Sequence, residues 1–199
     1  MPDLDPDERR RLLARKVAEQ AQERERRAYL QALPAGLRAY LEPRETIPIH
    51  PGDGDDPLAS AFWPGPGGWE AARTARPGFF LEELAWPEKV LAAAERRTDA
   101  RHDAAPAWFW PMLGAPVFRA DFGWARGNLR ALFSVPRTHD RPGRRGTPRA
   151  SECVAVVAED RRAGLIIDGY AGSLESDPNP DEVVFELVVW GFPSARHAS

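Results

Sequence analysis

The run Val183 to Phe192 constrains this chain most, because it is apolar on both alternating faces and Glu186 is its single charged residue. A strand with two apolar faces has to be covered on both. The run therefore predicts a central, paired strand with helices laid over one side. Cys153 to Ala158 and Gly164 to Asp168 predict a hairpin around Glu159-Asp160-Arg161-Arg162. Phe118, Ala120, Phe122 and Trp124 alternate with Val117, Arg119, Asp121 and Gly123, the period of a half-buried strand. Arg126-Gly127-Asn128 has turn chemistry, and Ala131 to Val135 then reads as a further strand. Asp177-Pro178-Asn179-Pro180-Asp181 marks a last turn. Residues 117–192 are thus expected to form one antiparallel sheet of about five strands.

The first half has a different period. Pro6 to Ala32 reads as one long helix, with Asp5 as N-cap, Pro6 at the first helical position and Glu8 placed to close a capping box. Its apolar stripe is narrow (Leu13, Val17, Ala21, Ala28), and Glu19 to Arg27 is almost wholly polar. Such a stripe suits a solvated helix crossing the body, or contact with a partner helix. Pro34 separates a second helix, Ala35 to Leu41, stopped before Pro43. Glu42 to Gly78 is rich in loop residues, with a short strand expected at Thr46 to His50 and a turn of helix near Trp69 to Arg73. Phe79 to Leu84 and Glu88 to Arg97 read as helices, with Pro87 opening the second. Helices first and strands after predict an α+β fold, N-terminal helices packed on a C-terminal antiparallel sheet. Residues 1–32 are expected to be a helical extension and 33–199 a single domain.

Hydrophobic residues at 43% of 199 argue against disorder. With 27 Lys and Arg against 30 Asp and Glu, the net charge is −3, which does not suggest a dedicated nucleic-acid binder. The acidic start Pro2 to Glu8 lacks the basic head and apolar core of a signal peptide, and no apolar stretch is long enough to span a membrane. The expectation is a cytoplasmic protein. Cys153 is the one cysteine, and its Val/Ala surroundings predict a buried, unreactive thiol.

Motifs for chemistry are sparse. Gly65-Pro66-Gly67-Gly68 lacks the following Lys and Ser/Thr of a phosphate loop, and Asp53, Asp55 and Asp56 lack EF-hand spacing. His50, His102, His139 and His197 are scattered, so no metal and no cofactor are expected. Ser134 has no nucleophile-elbow context. Asp121, Asp168 and Glu186 fall on expected strands, where they could converge as an acid/base pair or simply pair with an arginine such as Arg119. Two features suit contact with a partner. One is the basic loop carrying Arg137, Arg141, Arg144, Arg145 and Arg149; the other is the aromatic run with Trp108 and Trp110.

Leu33-Pro34 with Leu37 opens a short helix. The segment Phe79-Phe80-Leu81-Glu82-Glu83-Leu84-Ala85-Trp86 follows, then Trp108 and Pro111, then Val117-Phe118-Arg119-Ala120-Asp121-Phe122. In this order, over roughly Leu33 to Val135, the chain resembles the SUKH superfamily, the bacterial immunity-protein group that also includes a yeast cell-wall regulator. The resemblance implies a non-catalytic α+β domain that neutralises a partner toxin by direct binding, with no catalytic residues to carry over. Two other readings stand beside it. One is a small-ligand binder or enzyme with a tryptophan-lined cleft. The other is a nucleic-acid-associated protein using residues 137–149.

Overall fold

The structure, a computed structural model of the chain, describes residues 5–47, 58–62, 68–111, 116–134, 153–171 and 183–192. It begins with helix α1 (Pro6–Ala32), whose N-cap Asp5 accepts a hydrogen bond from the Asp7 N–H at 3.3 Å. Only the last turn of α1 is buried, through Tyr29 and Leu30; Leu13 and Val17 are 58% and 63% exposed. Glu23 accepts from Arg27 at 2.9 Å, an i,i+4 pair. Helix α2 (Ala35–Leu41) follows the break at Pro34, and the short strand β1 (Thr46–Ile47) lies where one was expected. Helices α3 (Ala59–Phe62) and α4 (Gly68–Ala75) come next.

Phe80–Leu84 is strand β2 and not a helix. The free side of another strand, far along the chain, offers this segment a full antiparallel backbone ladder over all five residues, and that tertiary pairing overrides the helical spacing. Helix α5 (Pro87–Arg97) starts at Pro87 as expected and buries Val90, Leu91, Ala93 and Ala94. Pro106–Trp110 is a further strand, β3, and Val117–Asp121 is β4. The strand expected through Trp124 ends at Asp121. Phe122–Gly127 is helix α6, and Leu129–Phe133 is helix α7 rather than a strand. Phe122, Ala125, Leu129, Leu132 and Phe133 are all buried at spacings of three and four, which puts them on one side of a helical pair. The hairpin β5 (Cys153–Ala158) and β6 (Gly164–Ala171) and the long strand β7 (Val183–Trp190) lie as expected.

Among the described residues, seven strands make one sheet in the order β1-β4-β3-β5-β6-β7-β2, each neighbouring pair antiparallel. The fold is α+β, with helices concentrated in the first part and most of the sheet in the second. The expected five strands become seven because the one expected at Ala131 to Val135 is helix α7, while the first part supplies both edges, β1 and β2, and β3 wedges between β4 and β5. β7 is paired on both sides, to β6 and β2. No helix among the described residues is long and apolar enough to cross a membrane.

The pleat sends alternate side chains to two faces. On the first face, Phe109, Phe118, Val154, Val156, Leu165, Ile167, Leu187 and Val189 meet the last turn of α1 together with α2, α5, α6 and α7. Tyr29 packs between Phe109 and Phe118, with ring centroids 6.3 and 6.1 Å away. Burial pushes its hydroxyl well above the ordinary tyrosine range, and its oxygen has no hydrogen-bond partner. The second face carries Trp110, Val117, Ala155, Val157, Ile166, Val188 and Trp190, covered by Ala61 and Phe62 of α3 and by Trp69 of α4.

Candidate functional site

The register arranges the second face in rows. One row runs Arg119, Trp108, Val157, Gly164, Trp190 across β4, β3, β5, β6 and β7. Four residues along the strands, a second row runs Cys153, Asp168, Glu186, Glu83 across β5, β6, β7 and β2. One end of this face is therefore aromatic and basic, and the other is acidic.

In the first row the Trp190 indole takes the space above Gly164. A Cβ there would sit 2.0 Å from its ring. The indole N–H donates to the Arg161 carbonyl in the β5–β6 turn at 2.9 Å, which fixes the ring's orientation. Above Trp190 lies Arg76, just past α4, its guanidinium carbon 4.1 Å from the ring centroid and 5.8 Å from that of Trp69. One nitrogen of Arg76, Nη1, is buried with no hydrogen-bond partner. Burial, and then the like charge of Arg161, lower the affinity of this guanidinium for its proton.

In the second row Glu186 is partly buried and accepts from the Trp69 indole N–H at 2.9 Å. Burial raises its carboxyl above the usual range. Repulsion from Asp168 and Glu83 adds to the rise, and the Trp69 bond opposes it. Asp168 and Glu186, both singled out in the sequence, are thus direct cross-strand neighbours. Asp121 is not with them, because β4 lies four places from β7 in the sheet. It accepts from the Tyr40 hydroxyl at 2.5 Å and faces Arg44 at 3.5 Å. Its partner is not Arg119, which instead bridges Glu45 at 3.3 Å and Glu159 at 3.1 Å.

Trp110 is 3% exposed and packs 5.4 Å from Phe62, so in this fold it fills the second core. Trp108 is half-buried, and its indole N–H has no partner. Cys153 is buried, as expected. Ser134 is exposed and donates to the Arg130 carbonyl. His102 contacts the Gly191 carbonyl through Nε2 at 3.0 Å. The basic-loop residues Arg137, Arg141, Arg144, Arg145 and Arg149 lie outside the described residues, as do the Asp53 to Asp56 cluster and Gly65 to Gly67. Among the described residues no group of three or more His, Cys, Asp or Glu side chains is placed to hold a metal ion. Sequence reasoning passed over Arg76 and Trp69. They become neighbours of Trp190 only through the way α4 returns over the sheet, and no local pattern encodes that.

A family model described as YokC prophage protein matches residues 5–189. No curated protein and no solved structure matches the chain.

Proposed function

The chain belongs to the YokC prophage protein family, and from that premise we propose that it works by binding another protein, as an immunity-type module that blocks a partner toxin. The observation that carries this reading is the outer part of α1. Residues 5–17 are all exposed, yet they include Leu12, Leu13 and Val17, at 43%, 58% and 63% exposure. A helix of 27 residues needs only its last turn to anchor on the body, which leaves several turns as a contact arm. Exposed apolar side chains grouped on one helix suit a helix-in-groove contact. Arg9, Arg10, Arg11, Arg15 and Lys16 flank the apolar positions, against Asp5, Asp7, Glu8 and Glu19. The partner surface that fits is apolar at its centre and acidic at its rim. The resemblance to the SUKH superfamily supports the immunity role.

The test replaces Leu13 and Val17 together by Gln. Stability is expected to stay within about 0.5 kcal/mol, because both side chains are exposed. The native protein should retain a stoichiometric partner when isolated from cells that express both, and that partner should arrest growth when expressed alone. The double variant should lose the partner and fail to rescue growth. Recovery of the same partner by both proteins removes the arm as the contact, and a partner that is harmless when expressed alone removes the immunity role.

The tryptophan-rich second face favours a second reading, a small-ligand binder, through the unpartnered N–H groups of Trp108 and Arg76. Binding that survives the α1 double variant would favour it.

A further inference from the structure

We propose that Arg76, laid against Trp190, is the binding group of an oxoanion site that takes a carboxylate or phosphate through the edge of its guanidinium. The proposal goes beyond the α1 contact and does not depend on it.

The first argument is an unmet need. Guanidinium groups withdrawn from water are normally paired, because a buried donor without an acceptor loses its hydration for nothing. Arg76 has one face on an indole, no ion pair among the described residues, and a buried Nη1 without a partner. Among the described residues, Arg161 is a neighbouring charge of the same sign. Asp160, in the same turn as Arg161, is engaged by the Arg162 side chain at 3.7 Å and by the Arg162 N–H at 3.0 Å. Glu186 is held by Trp69.

The second argument is that the position is built. The Gly191 N–H donates to the Pro77 carbonyl at 2.7 Å. Gly78, at φ 65°, lies so close to the Phe192 carbonyl that a Cβ would come within 2.3 Å of its oxygen. Gly191, at φ 84°, is equally tight against the Arg162 carbonyl, at 2.2 Å. Both glycines have the left-handed backbone that side chains disfavour, and both allow backbones to approach where a side chain would block them. Through them residues 76–78, 161–163 and 190–192 are locked together, so Arg76 and Arg161 are held near each other in spite of their repulsion.

The third argument is chemical. An indole covering one face of a guanidinium leaves the N–H groups in its plane, and their fork matches two oxygens of a carboxylate or a phosphate. Such an anion would supply the missing acceptor for Nη1.

The experiment follows arginine side-chain N–H signals of the full chain by nuclear magnetic resonance. It titrates inorganic phosphate in one arm and acetate in the other, at constant ionic strength set with chloride. The expected result is a saturable shift of the Arg76 signals in at least one arm, and the arm that responds identifies the source of the oxoanion. Arg76→Gln should weaken that binding at least tenfold. Arg76→Lys, which keeps the charge and loses the fork, should weaken it several-fold. No saturable Arg76 shift with either anion overturns the proposal, as does wild-type affinity in Arg76→Gln. If Arg76→Gln does not fold, the wild-type titration decides alone.

Discussion

The two faces of the sheet solve the same burial problem with different means. On the first face, side chains from five helices meet the strands in one continuous apolar cluster. On the second, among the described residues, two short helices of four and eight residues lie over a smaller cluster rich in tryptophan. Among the described residues, the thick face leaves the Tyr29 hydroxyl without a partner inside, and Arg38 Nε without one on the α2 cover. The thin face holds Glu186 in an acidic row, the indole N–H of Trp108 and the guanidinium of Arg76. The difference teaches that cover thickness, more than strand composition, decides where a sheet can keep reactive or binding groups. A thin layer shields charge enough to perturb it and leaves it within reach of a ligand.

The largest effect is expected where that contrast is sharpest. Phe109→Ala empties a site on the thick face that touches Tyr29, Phe118 and Trp124. It should cost about 3–5 kcal/mol, measured by denaturant unfolding, since the surrounding helices cannot collapse fully into the space. A loss below about 1 kcal/mol would mean that the thick face is loosely packed. Gly164→Ala tests the thin face by overfilling it. The new methyl needs the space of the Trp190 ring, and a loss of about 1–3 kcal/mol is expected, with a change in tryptophan fluorescence. An unchanged spectrum and midpoint would show that the ring does not rest on Gly164.

The smallest effect separates charge from volume. Glu186 has a raised carboxyl pKa, so the fold favours its protonated form. Stability from this group is present below the ordinary glutamate range and is lost as pH rises through that range to the raised value. Glu186→Gln cannot ionise and can still accept from Trp69. It should therefore be more stable than the wild type at pH 7 by a few tenths of a kcal/mol, the scale of like charges facing across strands. The difference should vanish below about pH 4. A destabilised variant at pH 7 would mean that the carboxylate is compensated by a cation.

The sequence displayed the parts of the fold whose local pattern and tertiary setting agree. The hairpin of β5 and β6, the strand β7, and helices α1, α2 and α5 all follow from periodicity, caps and prolines. The failures have local causes. β3 is bracketed by Pro106 and Pro111, which read as loop punctuation, although proline is tolerated at a strand's first residue. β2 has apolar residues at 80, 81 and 84, a spacing that a helix shares, and its partner β7 decides the matter from far along the chain. Phe118, Ala120 and Phe122 alternate by coincidence across a strand-to-helix boundary, and the spacing from Phe122 to Ala125 to Leu129 was the better guide. At the site, Asp168 and Glu186 were visible as strand carboxylates, and only the register showed them to be neighbours. Arg76 was invisible because its importance lies in what it lacks.

The pairing of β2 with β7 also bears on how the protein is made. Glu83 faces Glu186, so the edge strand leaves the ribosome roughly 100 residues ahead of its partner. At about 5–20 residues per second it waits on the order of 5–20 s as an unpaired segment. During that interval Phe80, Leu81 and Leu84 are a template for any other nascent strand. Glu82 and Glu83 sit in the middle of that segment, where like charges repel a second copy of it. Glu83, which repels Glu186 in the finished sheet, is during synthesis one of two charges that disfavour pairing of this segment with its own copy.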